Sequence, residues 1–179
     1  MMTTTDLENT QIEIHGTLVW SKDTNYWLSN PQPTGCQDGS AAWFLGGKNV
    51  TVDGVGYRTL GGNGQTCNNG YPARNTDGAD TIDSDRITFR NMYIRNGDDA
   101  VAIKGNSTII LIEDSTMDHS LSIAFGSLGQ YKNGIEHVEN VTMGRIKGLG
   151  TRHGAYVKIW TGDQVSYPPN EGGGGIGCE

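Results

Sequence analysis

The chain has 179 residues, of which 27 are Gly and 5 Pro, about 18% together, while charged residues reach only 18% against ~25% in ordinary domains. That mixture excludes a coiled coil or helical bundle, and the length allows one domain with a real core. Thirteen basic against twenty acidic residues give a net charge of −7 with no Lys/Arg run, which argues against a nucleic-acid or anionic-membrane partner, and no stretch approaches the ~18 apolar residues of a membrane span.

Short β-patterned runs recur along the chain at 11–20, 49–52, 86–94, 107–112 and 134–143, most of them followed by Gly, Asn or Asp, and nothing reads as a long amphipathic helix. The runs resemble one another. The string ITFRNMYI from Ile87 lies on ILIEDSTM from Ile110 at an offset of 23 residues, and ENVTM from Glu139 lies on EDSTM from Glu113 at an offset of 26. A repeat of this length built from short strands and turns predicts a solenoid, here an all-β parallel β-helix in which each repeat is one coil. Ile87, Phe89, Ile110 and Ile112 would then point inward and stack on neighbouring coils ~4.8 Å away. An antiparallel sandwich is the competing architecture.

Cys36, Cys67 and Cys178 fit neither a CxxC metal site nor an even disulfide framework. The opening MMTTTDLENT lacks the basic and apolar regions of a signal peptide, whereas sequons at Asn49, Asn106 and Asn140 fit a product of the secretory pathway.

Carboxylates gather in the middle of the chain: Asp77, Asp80, Asp83 and Asp85, then Asp98 and Asp99. Asp77 and Asp98 are 21 residues apart, close to one coil, which would bring Asp77 beside Asp98 and Asp99 on adjacent rungs. Convergent carboxyls raise one another's pKa, so one can stay protonated as an acid while another serves as a base, the arrangement glycoside hydrolysis needs; an inverting site keeps the two ~6.5–9.5 Å apart and a retaining site ~5–5.5 Å. Equally, Asp in Asn-Thr-Asp-Gly and Asn-Gly-Asp-Asp is a common maker of Asx turns. A calcium loop is weaker, because Asp77-Gly-Ala-Asp80 lacks the alternating ligand order of an EF-hand.

Asn75-Thr-Asp77-Gly78, Gly97-Asp98-Asp99 and the stretch SIAFGSLGQY at 122–131, in this order, resemble the polygalacturonase family, glycoside hydrolase family 28. The resemblance implies a right-handed parallel β-helix and inverting hydrolysis of pectin without a metal or other cofactor. It makes Asp98 the general acid, with Asp77 and Asp99 activating the attacking water, and Asn75, Tyr156 and Lys158 binding substrate. Lys158 falls where the family has Arg-Ile-Lys, whereas Arg145-Ile-Lys147 lies only 19 residues after Gly126 and reads as a surface strand with solvated charges. His119 matches the family histidine when the chain is anchored on Leu121-Ser-Ile; anchoring on Gly126-Ser127 puts Leu121 there instead.

Tyr156 replaces the family's arginine, which removes a bidentate clamp for a sugar carboxylate and offers an aromatic face to a less charged sugar. The tail from Trp160 through its Gly run resembles the exo-acting branch. The expected activity is polygalacturonase-type removal of galacturonate from chain ends, with rhamnogalacturonan rhamnohydrolysis as the rival and an inactive, pectin-binding solenoid as the reading from another class. The expected partner is a pectic polysaccharide or oligosaccharide, the expected state a monomer, and the parent protein secreted. Family members carry further coils where this chain has only residues 67–74, and beyond residue 179, so the 1–179 domain is expected to be a fragment or an internally deleted form.

Overall fold

A computed structural model of the chain describes residues 2–21, 23–30, 42–61, 76–130 and 135–160. Cys36, Cys67, Cys178 and Asn75 lie outside the described residues, as do the coils expected near 66–75, Tyr131, and the tail after Trp160. The described residues form twelve strands: β1 Met2–Glu13, β2 Leu18–Val19, β3 Trp43–Gly61, β4 Ala79–Thr81, β5 Asp85–Arg95, β6 Asp99–Ile103, β7 Ser107–Glu113, β8 Thr116–Asp118, β9 Ser122–Leu128, β10 Val138–Gly144, β11 Lys147–Leu149 and β12 Ala155–Ile159. One short helix, α1 (Thr24–Ser29), starts at Asp23, whose carboxylate accepts from the Tyr26 N–H at 2.9 Å as an N-cap. No described helix is long and apolar enough to cross a membrane.

All strand pairs among the described residues are parallel, and partners come from successive coils. The order β1-β3-β5-β7-β10 forms one face, β8 and β11 continue it round a corner beside the second half of β5, and β4, β6, β9 and β12 form a separate four-stranded sheet. This is a parallel β-helix. Its register bears out the 23-residue repeat: Ile87 pairs with Ile110 and Phe89 with Ile112, and Val50 and Val52 extend both ladders by a coil. All six side chains are buried, with Ile112 fully enclosed.

The 26-residue offset is corrected. Val141 pairs with Ile110 and Glu139 with Thr108, so β10 lies 31 residues beyond β7, because the chain between β9 and β10 is longer than the corresponding turn one coil earlier. A local match of five residues does not set register; the inward-facing row Val50, Ile87, Ile110 and Val141 does. The predicted run 11–20 is also divided, since β1 stops at Glu13 and β2 holds only Leu18 and Val19.

Each coil bends at the same place. Asn9, Asn49, Arg86, Ile109 and Asn140 form a column in register, and all five have φ between 48° and 58°. Asn tolerates this left-handed conformation best among residues with a side chain. The Asn49 side-chain amide donates to Asn9 Oδ1 at 2.7 Å, so the corner is also bonded between coils.

Among the described residues, β10, β11 and β12 form the last coil. Met143 there is exposed, whereas Ile112, its partner one coil earlier, is fully buried.

Candidate active site

The carboxylates sit where the second corner hands the chain to the four-stranded sheet. Asp77 comes just before β4, Asp98 just before β6, and Asp99 opens β6. The register there is 22 residues, with Ala79 beside Val101, and the Gly78 N–H donates to the Asp99 carbonyl at 2.9 Å. Asp77 therefore stands one coil from Asp98 and Asp99, as the spacing predicts. One oxygen of each carboxyl lies within 4.8 Å of the others.

Asn96 does the turn-making that composition alone would have given to the aspartates. Its amide donates to the Asp99 carbonyl at 2.6 Å and to the Thr76 carbonyl of the preceding coil at 2.9 Å, tying the two carboxylate-bearing turns together. Gly78 is required by close approach rather than by torsion: a Cβ there would meet the Ala100 carbonyl oxygen at 2.5 Å and Ile94 Cγ2 at 2.6 Å.

Asp77 stands across one coil spacing of about 4.8 Å from Asp99, whereas Asp98 and Asp99 are neighbours in sequence. Crowding has an electrostatic consequence. Asp77 is pushed up to about 8, first by burial, then by the charge of Asp80; Lys104 opposes the rise, and Asp98 and Asp99 add to it. Asp80 is raised as well, chiefly by burial, against the pull of Lys104.

Asp99 is 1% exposed and meets two groups from β12: Lys158 Nζ at 2.8 Å, and the Tyr156 hydroxyl, which donates to its other oxygen. The row in register with Tyr156 is Ala124, Ala102 and Asp80. Both alanines are buried yet alternate with the inward Val101, Ile103 and Ile123, so they lie on the outer side, and their small methyl groups leave room for the phenol to reach Asp99 two coils away. Burial first, then the hydrogen bond and the charge of Asp99, holds the Tyr156 hydroxyl well above its ordinary pKa, so it acts as a donor. His153 packs on the Tyr156 ring with centroids 4.7 Å apart.

His119 follows β8 in a left-handed conformation, two residues before Leu121, whose N–H donates to the Asp98 carbonyl at 2.8 Å. Its Nδ1 is bonded to Asp118, a buried carboxylate that also accepts from the Tyr93 hydroxyl and faces Arg95 at 3.4 Å. Burial would raise Asp118, but Tyr93, His119 and Arg95 together hold it below the ordinary carboxylate range. Arg145 is exposed and bonded to Glu113 and Asp114; it lies in the bend between β10 and β11 with φ 55° rather than in the expected surface strand, of which only Lys147 belongs to β11. Sequence reasoning missed Lys104, Asn96 and His153. Lys104 had one visible signal, a lone charge closing the apolar run of β6.

Residues 40–167 match the profile of the glycosyl hydrolases family 28, and the chain belongs to that family. It is 37% identical to alpha-L-rhamnosidase rgxB of Aspergillus niger, covering 99% of this chain and 55% of that protein. It is 31% identical to an exopolygalacturonase of Cochliobolus carbonum (97% and 52% covered) and 30% identical to exopolygalacturonase X of Aspergillus niger (97% and 53%). The chain spans about half the length of the curated relatives it matches. No solved structure matches it.

Proposed function

We propose that the protein to which this chain belongs is an inverting glycoside hydrolase that removes a terminal sugar from pectic chains. The observation that carries the reading is the convergence of Asp77, Asp98 and Asp99 within 4.8 Å. Carboxyls this close titrate as a unit, and a site that keeps one proton while its other members are ionised holds both halves of acid–base catalysis. Asp98 protonates the glycosidic oxygen. Of the two carboxyls expected to activate water, Asp77 and Asp99, the latter is faced by Lys158 and Tyr156 and is the one poised as base.

Two sugars fit the outline. Galacturonate is the polygalacturonase-type reading and agrees with the names of the exopolygalacturonase relatives. A specific observation favours rhamnose: Lys158, which would meet a sugar carboxylate, is bonded to Asp99, and Tyr156, standing for an arginine, is bonded there too. With both turned to Asp99, the subsite suits an uncharged sugar, in line with the name of the rhamnosidase relative. Secretion of the parent protein and action as a monomer belong to the same proposal, and the exposed Asn49, Asn106 and Asn140 are compatible with it.

The test is product analysis after incubation with homogalacturonan and rhamnogalacturonan oligosaccharides, beside Asp98→Asn. Rhamnose absent from the variant supports the favoured reading, and galacturonate supports the other. Neither sugar from a protein with intact β circular dichroism refutes the enzyme and leaves a pectin-binding or inert solenoid. The first-formed anomer, read by proton NMR, decides between inversion and retention.

A further inference from the structure

Two ammonium groups border the carboxylate cluster, and the chemistry above draws on one. Lys158 faces Asp99 from β12; Lys104, the residue after β6, approaches from the side of β4. The Lys104 N–H donates to the Thr81 carbonyl at 2.9 Å, which fixes its backbone one coil from β4. Its Nζ lies 3.3 Å from Asp80 Oδ2 and 3.8 Å from Asp77 Oδ2, and its side chain is 9% exposed. Lysine is almost never buried to this degree unless it is paired, because the ammonium gives up hydration that only nearby negative charge can replace.

The surroundings show what the charge is for. Asp77 is faced by Asp80 from β4, by Asp98 and Asp99 at the start of β6, and by the Tyr156 and Lys158 pair that binds Asp99. Four carboxyls in this space repel one another, and burial strengthens the repulsion. We propose that Lys104 is a positioning residue for Asp77: bridging Asp80 and Asp77, its ammonium holds the Asp77 carboxyl against Asp98 and Asp99 and supplies the positive charge that lets it ionise there. Lys104 thereby sets the pH at which the cluster changes its proton count. The catalytic side of the inference rests on the proposed role of the Asp77, Asp98 and Asp99 cluster, whereas the coupling between Lys104 and Asp77 does not.

Carbon-13 NMR titration of the Asp77 carboxyl, in protein labelled at aspartate, tests the coupling directly. Lys104→Met moves the Asp77 midpoint up by at least about one pH unit, and Lys104→Arg keeps it near wild type. Asp80→Asn moves it down, because one repelling charge is gone and Lys104 is left to Asp77. A folded Lys104→Met with an unmoved midpoint overturns the proposal. Should that variant not fold, Asp80→Asn decides, and a midpoint that stays or rises overturns it. In hydrolysis assays Lys104→Met lowers kcat about tenfold with KM within about twofold, and its pH profile moves with the Asp77 midpoint. Folded wild type without hydrolysis refutes the proposed function, while the titrations still decide the role of Lys104.

Discussion

Gly78→Ala joins the fold to the site in one methyl group. The new Cβ would sit 2.5 Å from the Ala100 carbonyl oxygen and 2.6 Å from Ile94 Cγ2, about half an ångström inside the 3.0 Å that real Cβ atoms keep. Ile94 is fully buried and Ala100 belongs to the adjacent coil, so neither has space to retreat, and overpacking of this kind destabilises by about 1–3 kcal/mol. The strain falls on the residue next to Asp77 and on the Gly78 bond to Asp99. Since a ~1 Å misplacement of a catalytic group can lower a rate ~10²-fold, a shift of half that predicts a loss of about tenfold in kcat. Stability is read by urea unfolding followed by circular dichroism, and kcat by initial rates of sugar release. Gly144→Ala is the matched control, because its nearest neighbour, Glu113 Cβ, is 4.0 Å away, and it stays within about 0.5 kcal/mol of wild type. A Gly78→Ala protein as stable and as fast as the control would refute the close-approach argument.

Two further outcomes follow from burial and register. Asp77 binds its proton more tightly in the folded chain, at about 8 against an ordinary 3.8, so the stability this carboxyl contributes is complete below pH 3.8 and is lost as pH rises through 8. Asp77→Asn cannot ionise, so its urea midpoint gains on wild type between pH 4 and pH 8.5; a difference that stays constant with pH contradicts the assignment. Along one ladder, Ile112→Ala destabilises by about 2–5 kcal/mol, whereas Met143→Ala, in register with it but 42% exposed, changes stability by less than about 1 kcal/mol. Equal effects in equilibrium unfolding would show that Met143 is enclosed as Ile112 is.

The solenoid was legible because Ile87 and Ile110 repeat their pattern over a full strand, and period-2 burial on β5 and β7 obeys it. It failed at Glu139, where a lengthened turn shifts the coil by more residues than a five-residue match can register. Strands of three residues, β4, β8 and β11, carry too little periodicity to be seen at all; their partners on neighbouring coils define them. The meeting of the aspartates followed from one distance, the coil length. Lys104 and the reach of Tyr156 did not, because each depends on which way a side chain leaves the sheet and on what the adjoining coils leave unfilled, Ala102 and Ala124 among them.

Tyr156 and Lys158 both come from β12, so Asp99 depends on a single strand for its hydroxyl donor and its ammonium. In a stack stabilised by nearest neighbours, local opening can release one strand while the rest of the ladder stays paired. Any opening that parts β12 from β9 takes both groups from Asp99 at once and leaves the ladders from β3 to β7 in place. The wiring of the carboxylates is thereby more fragile than the sheet that carries it.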